Sequence, residues 1–453
     1  MGSRHELLIG CVGKPSAGKS SFLNASTDAQ AKIGSYPFTT IEPNVGVTFD
    51  KSDQCRPRYG RCVSGTRFIP VKMLDVAGLV PGASEGKGLG NKFLDDLRQA
   101  DILLHIIDVS GTTNEKGEAT KGYDPINDIE WLDSEIHAWI FNNLWNRWPN
   151  ITRRHVATKS TSSATLQAQL SGYGSRLVQI QEVLDRMGVK EPSEMEKWDS
   201  KRVHELVDMF MKVRFPTIYV LNKIDSPGAD ANVLRICDKY GDGHIILASA
   251  LAECFLKKMR KANMVLYEDG GSDFTTTKDL ADLPKEEWPE GADGLREADP
   301  KALKTLEKIR DLVLFRYGAT GVQDAIKKAV DVKGYIPVYP VRNLNKFTSD
   351  RSGGVFRDCL LAPPGTTIRE FARMVDHQME QFFAYAEGLS GQRLGEDELV
   401  TEENNILKFV VQQTQEAAAA QSAKDGDKKA QQQQQKAAAA KKKEDKEKDK
   451  ADA

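Results

Sequence analysis

The sequence predicts an α/β fold built on a mainly parallel sheet, followed by a smaller module of short strands. Three observations predict it. Short apolar runs of strand type alternate with helical patterns from Leu7 to about Leu251. A glycine-rich loop, Gly13-Lys14-Pro15-Ser16-Ala17-Gly18-Lys19-Ser20, sits between the first such run and the first helical pattern and matches G-x-x-x-x-G-K-[ST]. From Tyr335 the chain changes character to short, proline-punctuated strands.

The elements follow in order. Glu6 to Val12 is an apolar run of strand type, and Ser20 to Ala25 opens a helix. Strand, glycine loop and helix start together are the context in which the loop cradles phosphate. Gly13 and Gly18 let successive N–H groups turn inward, and the helix N-terminus adds partial positive charge. Pro15, Ser16, Ala17 and Ser21 complete the cradle, Lys19 is expected at the β- and γ-phosphates, and Ser20 is expected to give its hydroxyl to Mg²⁺.

Asp75 ends a second strand, Phe68 to Leu74, where a carboxylate can hold the shell of a magnesium ion. Gly78, in Asp75-Val76-Ala77-Gly78, is placed to offer its N–H to a γ-phosphate and to move when that group leaves. Of the Thr39-Thr40 pair, Thr40 is the favoured contact to Mg²⁺ and the γ-phosphate. A third strand is expected over Asp101 to Asp108, with His105 inside it as a core histidine bonded to backbone.

Asn222-Lys223-Ile224-Asp225 follows the strand Phe215 to Leu221. An ionised Asp225 accepts from both the ring N–H and the exocyclic amine of guanine. Adenine presents the wrong donors, so GTP is favoured over ATP. The Lys223 stem is expected over one face of the base. Ser249-Ala250 follows His244 to Ala248, with its backbone expected at the guanine carbonyl.

Tyr36-Pro37-Phe38-Thr39-Thr40-Ile41-Glu42-Pro43-Asn44-Val45-Gly46 resembles the first switch of the Obg superfamily of translation-associated GTPases. Gly78 to Leu94, with glycines at 78, 82, 86, 88 and 90, resembles its second switch. The nearest branch is the YchF/Obg-like group, and the resemblance spans about nine-tenths of the chain. It implies a P-loop NTPase G domain over 1–334, with a helical insertion at about 124–213. It also implies a C-terminal TGS domain, a ubiquitin-like β-grasp fold, over 335–412. Many YchF-like members have a base motif altered toward ATP, whereas Asn222 to Asp225 is intact here. Many superfamily members carry an Asn that helps hold an activating K⁺ where this chain has Ser16, which puts potassium stimulation in doubt. Leu79 stands where Ras-like proteins place a water-orienting Gln, so slow hydrolysis awaiting a partner is expected.

Within the insertion, helices are expected over Ile126–Trp148, Thr165–Met187 and Lys197–Lys212, as a two-helix projection and a returning helix. Trp131, Trp139, Trp145 and Trp148 are expected in helix packing. The basic cluster Arg147, Arg153, Arg154, His155 and Lys159 reads equally as an RNA-phosphate contact or a solvated loop. Glu268 to Asp299 reads as an irregular surface insertion, with helices resuming over Pro300–Tyr317 and Val322–Val330. In the C-terminal module the strands Ile336–Val341 and Asp358–Leu361 precede a capped helix, Ile368–Phe383, and a closing strand near Asn404–Val411. After Gln415 the Ala/Gln/Lys/Glu repeat cannot build a core, so 413–453 is expected as a disordered tail.

A net charge of −2 gives no global basic field, so no DNA partner is expected and RNA would need a local patch. No apolar run reaches the roughly 20 residues of a membrane span. No signal sequence or myristoylation pattern is expected, and the six cysteines lack paired zinc spacing, which together read as a reduced, cytoplasmic protein. The predicted function is a slow GTPase switch in translation or ribosome biogenesis, with ribosome and RNA contacts through the TGS module and the insertion. The alternatives are a nucleotide-stabilised ribosome- or RNA-binding module, and a YchF-like ATPase.

Overall fold

A computed structural model describes residues 7–27, 45–52, 67–76, 96–190, 192–281, 283–349, 355–356, 358–377, 379 and 382–411. Thr39, Thr40, Gly78, Leu79, the first switch segment up to Asn44, the whole second switch segment and the tail lie outside these residues. The chain divides into two compact units, Met1–Tyr335 and Ile336–Ala453.

The first unit is organised by a six-stranded sheet in the order β2-β3-β1-β4-β5-β6. Its strands are β1 (Leu8–Val12), β2 (Val45–Ser52), β3 (Arg67–Asp75), β4 (Ile102–Asp108), β5 (Thr217–Asn222) and β6 (Ile245–Ala248). β3, β1, β4, β5 and β6 run parallel, and β2 closes one edge antiparallel to β3. β1 and β4 are buried along their whole length. That burial explains why they read as continuous apolar runs rather than alternating ones. Cys11 is in this core. So is His105, but its Nδ1 has no hydrogen-bond partner among the described residues, and its ring lies beside Tyr219 instead.

The parallel order brings the carboxyl ends of β1, β3, β4, β5 and β6 to one edge, where ligands of such sheets bind. Helix α1 (Lys19–Ser26) leaves the loop after β1. Between β4 and β5 the chain makes five α-helices: α2 (Ile126–Trp145), α3 (Trp148–Thr158), α4 (Ser162–Leu170), α5 (Leu177–Arg186) and α6 (Ser200–Arg214). This corrects the expectation of three. The first predicted helix divides at Asn146-Arg147, with Pro149 in the opening turn of α3, where its missing N–H costs nothing. Thr161 then caps α4 by accepting from the Ala164 N–H. Trp148 is buried and stacks on Trp198, and Trp131, Trp139 and Trp145 pack against the same core, so the tryptophans serve helix packing.

α7 (Ala229–Tyr240) and α8 (Ala250–Lys261) flank β6. The 268–299 stretch is more ordered than expected. β7 (Leu266–Tyr267) and β8 (Phe274–Thr275) pair as a hairpin, α9 spans Thr277–Ala281, and Tyr267, Phe274, Leu280 and Ala298 are buried. α10 (Pro300–Ile309) runs through a π-helical turn to Tyr317, and α11 spans Val322–Val332.

The second unit holds a five-stranded sheet in the order β10-β9-β13-β11-β12, from β9 (Ile336–Pro340), β10 (Leu360–Ala362), β11 (Phe383–Glu387), β12 (Arg393–Leu394) and β13 (Ile406–Val411). β9 and β13 are parallel, and the other pairs are antiparallel. Helix α12 (Ile368–Val375) lays Ile368, Phe371 and Ala372 on this sheet's core, with a capping box between Thr367 and Glu370. The predicted helix to Phe383 was too long. It stops at Val375, Asp376 is extended, and Phe383 to Glu387 pairs along β13.

Candidate functional site

The loop after β1 is shaped by close approaches that exclude side chains at two positions. Gly13 has φ of +145°, and a Cβ there would stand 2.4 Å from the Ile106 carbonyl oxygen on β4. Gly18 has φ of +99°, and its Cβ would meet Asn222 Nδ2 at 2.4 Å. The loop is therefore wedged between two strand ends, and only glycine fits where it touches them. Ser16 also takes a left-handed conformation, φ 63°, and is exposed at the loop's crest beside half-buried Pro15.

Lys19 opens α1. Its ammonium donates to the carbonyls of Gly13 at 2.9 Å and Lys14 at 2.8 Å, which folds the side chain over the loop. Burial lowers its pKa, and the nearby Asp75 carboxylate opposes that fall. Ser20 Oγ donates to Asp75 Oδ2 at 3.1 Å. Two hard oxygen ligands thus meet beside Lys19, a donor set that suits a magnesium ion sharing its shell with water. Ser21 is half-buried on the same turn, and Ala17 is buried.

Asn222, predicted beside the base, also braces the site. Its Nδ2 donates to the Ala17 carbonyl at 2.9 Å, and its Oδ1 accepts from the Ala250 N–H at 3.1 Å. One buried amide joins the loop after β1 to the loop after β6. The Ser249-Ala250 backbone, expected at a base carbonyl, thus has one N–H engaged with Asn222. Ser249 Oγ donates to Asp225 Oδ1 at 2.7 Å and caps α8 by accepting from Ala252 N–H at 3.3 Å. Asp225 itself is exposed. Ser249 thereby fixes the orientation of a carboxylate that faces solvent, the arrangement needed to meet two donors on one ligand edge.

Lys223, in a left-handed conformation with φ 69°, sends its ammonium to Asp108 Oδ2 at 2.7 Å. Asp108 is buried at the end of β4 and also accepts from Ser110 and Thr113. Burial would raise its pKa, but the bonds from Lys223, Ser110 and Thr113 outweigh it and hold the carboxyl below the usual range. The Asp108 tether was not read from the sequence, although an acid closing a buried strand was visible there.

The structure thus gathers Gly13, Pro15, Ser16, Ala17, Gly18, Lys19, Ser20, Ser21, Asp75, Asn222, Lys223, Asp225, Ser249 and Ala250 at one sheet edge. Lys14, a wildcard of the glycine-loop pattern, was missed. Its ammonium is buried and ion-paired with Asp128 at 2.9 Å. In the basic cluster, His155 is 3% exposed and bonds Thr165 Oγ1 at 2.8 Å, so it is not a surface group; Arg147, Arg153, Arg154 and Lys159 are exposed.

Two protein families match this chain. The family described as 50S ribosome-binding GTPase matches residues 8–140, and the Obg-like GTPase YGR210-like, G4 motif-containing domain matches residues 220–343. A GTP-binding protein of Schizosaccharomyces pombe is 48% identical over 82% of this chain and 90% of its own length. One from Methanocaldococcus jannaschii is 38% identical over 89% of this chain and 98% of its own. The ribosome-binding ATPase YchF of Bacillus subtilis is 30% identical over 51% of this chain and 61% of that protein. Among solved structures, a GTP-binding protein from Pyrococcus horikoshii covers 90% of this chain and 100% of that one, at a TM-score of 0.63 and 29% identity. With two relatives matched over nearly their full length and the glycine loop and base motif at one sheet edge, the chain belongs to the Obg-like, YchF-like family of P-loop GTPases.

Proposed function

We propose that this chain binds GTP and hydrolyses it slowly, as a partner-stimulated switch in translation or ribosome biogenesis. The observation that carries the choice of base is the Ser249 bond to Asp225, which holds an exposed carboxylate ready for the ring N–H and exocyclic amine of guanine. A purine lacking those donors leaves the carboxylate unmatched, which disfavours ATP.

In this reading Gly13, Pro15, Ser16, Ala17, Gly18, Ser20 and Ser21 surround the phosphates. Lys19 exchanges the two loop carbonyls it now holds for β- and γ-phosphate oxygens. Ser20 and Asp75 hold magnesium, with Thr40 joining them in the GTP state. That ion, when bound, neutralises charge developing between the β- and γ-phosphates. Gly78 senses the γ-phosphate, and Leu79 supplies no hydrogen bond to the attacking water, so turnover waits on a partner.

The second unit supports the TGS reading, because a parallel central pair flanked by antiparallel strands over one helix is a β-grasp arrangement. We assign 1–334 to the G domain, 335–412 to the TGS domain and 413–453 to a tail. A ribosomal partner is supported by the name of the family matching residues 8–140 and by that of the Bacillus subtilis relative. Exposed Arg147, Arg153, Arg154 and Lys159 offer phosphate contacts on the helical segment.

The test is GTP and ATP hydrolysis side by side, each with and without purified ribosomes. Slow, GTP-selective turnover that rises with ribosomes is expected. ATP preference would overturn the base assignment, and GTP turnover indifferent to ribosomes would overturn the switch.

A further inference from the structure

Lys14 occupies a position that the glycine-loop pattern leaves open to any residue, yet its side chain is almost wholly buried, at 1% exposure, and fully engaged. Its ammonium pairs with Asp128 Oδ2 at 2.9 Å, donates to the Thr113 carbonyl at 2.8 Å, and lies 4.2 Å from the centre of the Tyr123 ring. Tyr123 donates its hydroxyl to the other Asp128 oxygen at 2.8 Å. Asp128 stands in the first turn of α2, where the helical segment begins.

The chain of contacts continues beyond this group. Thr113 Oγ1 donates to Asp108 Oδ2 at 2.7 Å, the oxygen that also holds Lys223. Gly117 closes on the loop so tightly that a Cβ there would stand 2.8 Å from the Pro15 carbonyl oxygen. At its other end, Lys14 offers its own carbonyl to Lys19. One residue therefore touches the phosphate-reaching lysine through its backbone and the root of the helical segment through its side chain.

We propose that Lys14 is a positioning residue that couples nucleotide occupancy to the helical segment 126–214. The proposal rests on reading the glycine loop as the phosphate site. When Lys19 turns to phosphate it releases the Lys14 carbonyl, and the peptide it held relaxes. The Lys14 ammonium is sealed from water, so it cannot trade Asp128 for solvent, and any shift of the loop is passed to the first turn of α2. By linkage, a partner that repositions α2 changes nucleotide affinity by the same factor as nucleotide changes the partner's.

Five of the six tryptophans, at 131, 139, 145, 148 and 198, lie in this segment. The full chain carrying Trp288→Phe thus reports on the segment through its intrinsic fluorescence. The experiment measures GDP and GTP affinity by calorimetry and tryptophan emission with and without nucleotide. It compares that background with Lys14→Met, Asp128→Asn and the double variant, each checked by thermal melting. Asp128→Asn preserves the shape of the side chain, so it carries the test if Lys14→Met does not fold.

The expected result is a nucleotide-dependent change in emission in the parent that either single variant abolishes. Affinity should fall by about tenfold in each single variant and by no more in the double, as for residues acting as one unit. Additive losses, or an emission change that survives in a variant that still binds, would overturn the coupling. A parent that binds GDP without any emission change overturns it too. A parent that binds no guanine nucleotide strikes the nucleotide-site reading itself, which separates the two failures.

Discussion

The helical segment leaves the sheet beside Asp128 and rejoins it at Arg214, and the two junctions are built from different chemistry. At the exit, two buried opposite charges meet, and one of them belongs to the glycine loop. At the return, Arg214 is 5% exposed and donates to three main-chain carbonyls: Tyr173 at 2.9 Å, Ala100 at 2.8 Å and Arg98 at 2.6 Å. Its guanidinium also lies 4.6 Å from the centre of the Phe215 ring. Burial lowers its pKa to about 10, with Asp101 partly opposing the shift. Backbone carbonyls cannot change charge or swing away, so the return junction is a fixed clamp. The exit junction joins two side chains, one on the glycine loop and one on α2, so a shift of the loop is passed on to the helix. Strand β4 spans the two, with Ala100 just before one end and Asp108 at the other. The difference teaches that one covalently continuous segment can be anchored for stability at one root and left responsive at the other.

The largest effect should come from the clamp. Arg214→Met strands three carbonyls, two of them in buried bonds, and is expected to cost about 3–5 kcal/mol of stability, read by denaturant unfolding, with little change in nucleotide affinity for the molecules that remain folded. A loss below about 1 kcal/mol would break the comparison, because the return junction would then be no anchor. Lys19→Ala should do the reverse, lowering GTP affinity by roughly a hundredfold with a smaller loss of stability than Arg214→Met, since one of its two carbonyl partners, that of Lys14, also accepts from the Ala17 N–H. Binding titrations that leave affinity intact would remove the loop from the site.

Asp225→Asn should weaken GTP by about tenfold to a hundredfold and favour xanthosine nucleotides, because an amide nitrogen cannot accept from guanine. Competition binding decides it, and an unchanged preference for GTP would detach the base contact from Asp225.

The smallest effect concerns His105, midway along β4 and at neither junction. Burial, helped by the Lys19 charge, depresses its pKa to about 3 from 6.5, so the folded protein keeps it neutral. The unfolded chain takes up a proton below pH 6.5 that the folded chain refuses. This stability is present in full above that pH and lost progressively as pH falls toward 3. His105→Leu should flatten the slope between pH 6.5 and 5, worth up to about 1.4 kcal/mol per pH unit in the parent, as measured by unfolding at each pH. Identical slopes would show that other groups govern the acid side.

Much of the site was legible because each motif is a local instruction. Gly13, Gly18 and Lys19 are fixed by what one loop must do, and strand runs such as Ile102 to Asp108 announce their own burial. The starts of the two helices that follow α2 were also written locally, in Pro149 and Thr161. The period of Ile368 to Phe383 suited a helix, whereas pairing with β13 made Phe383 to Glu387 a strand. Tertiary context outweighed propensity in that case.

By itself, then, the sequence determined the order of the Gly13–Ser20 loop, Asp75 and the Asn222–Asp225 run, and the strands that carry them. Those depend on residue type at short spacing. Only the tertiary structure decided that Lys14 answers to Asp128, that Asn222 ties Ala17 to Ala250, and that Arg214 clamps Arg98 and Ala100. The physical reason is that a buried charge or amide needs a partner, but its type does not say where along the chain the partner lies. That choice is made when the parallel sheet brings distant strand ends to one edge and excludes water between them.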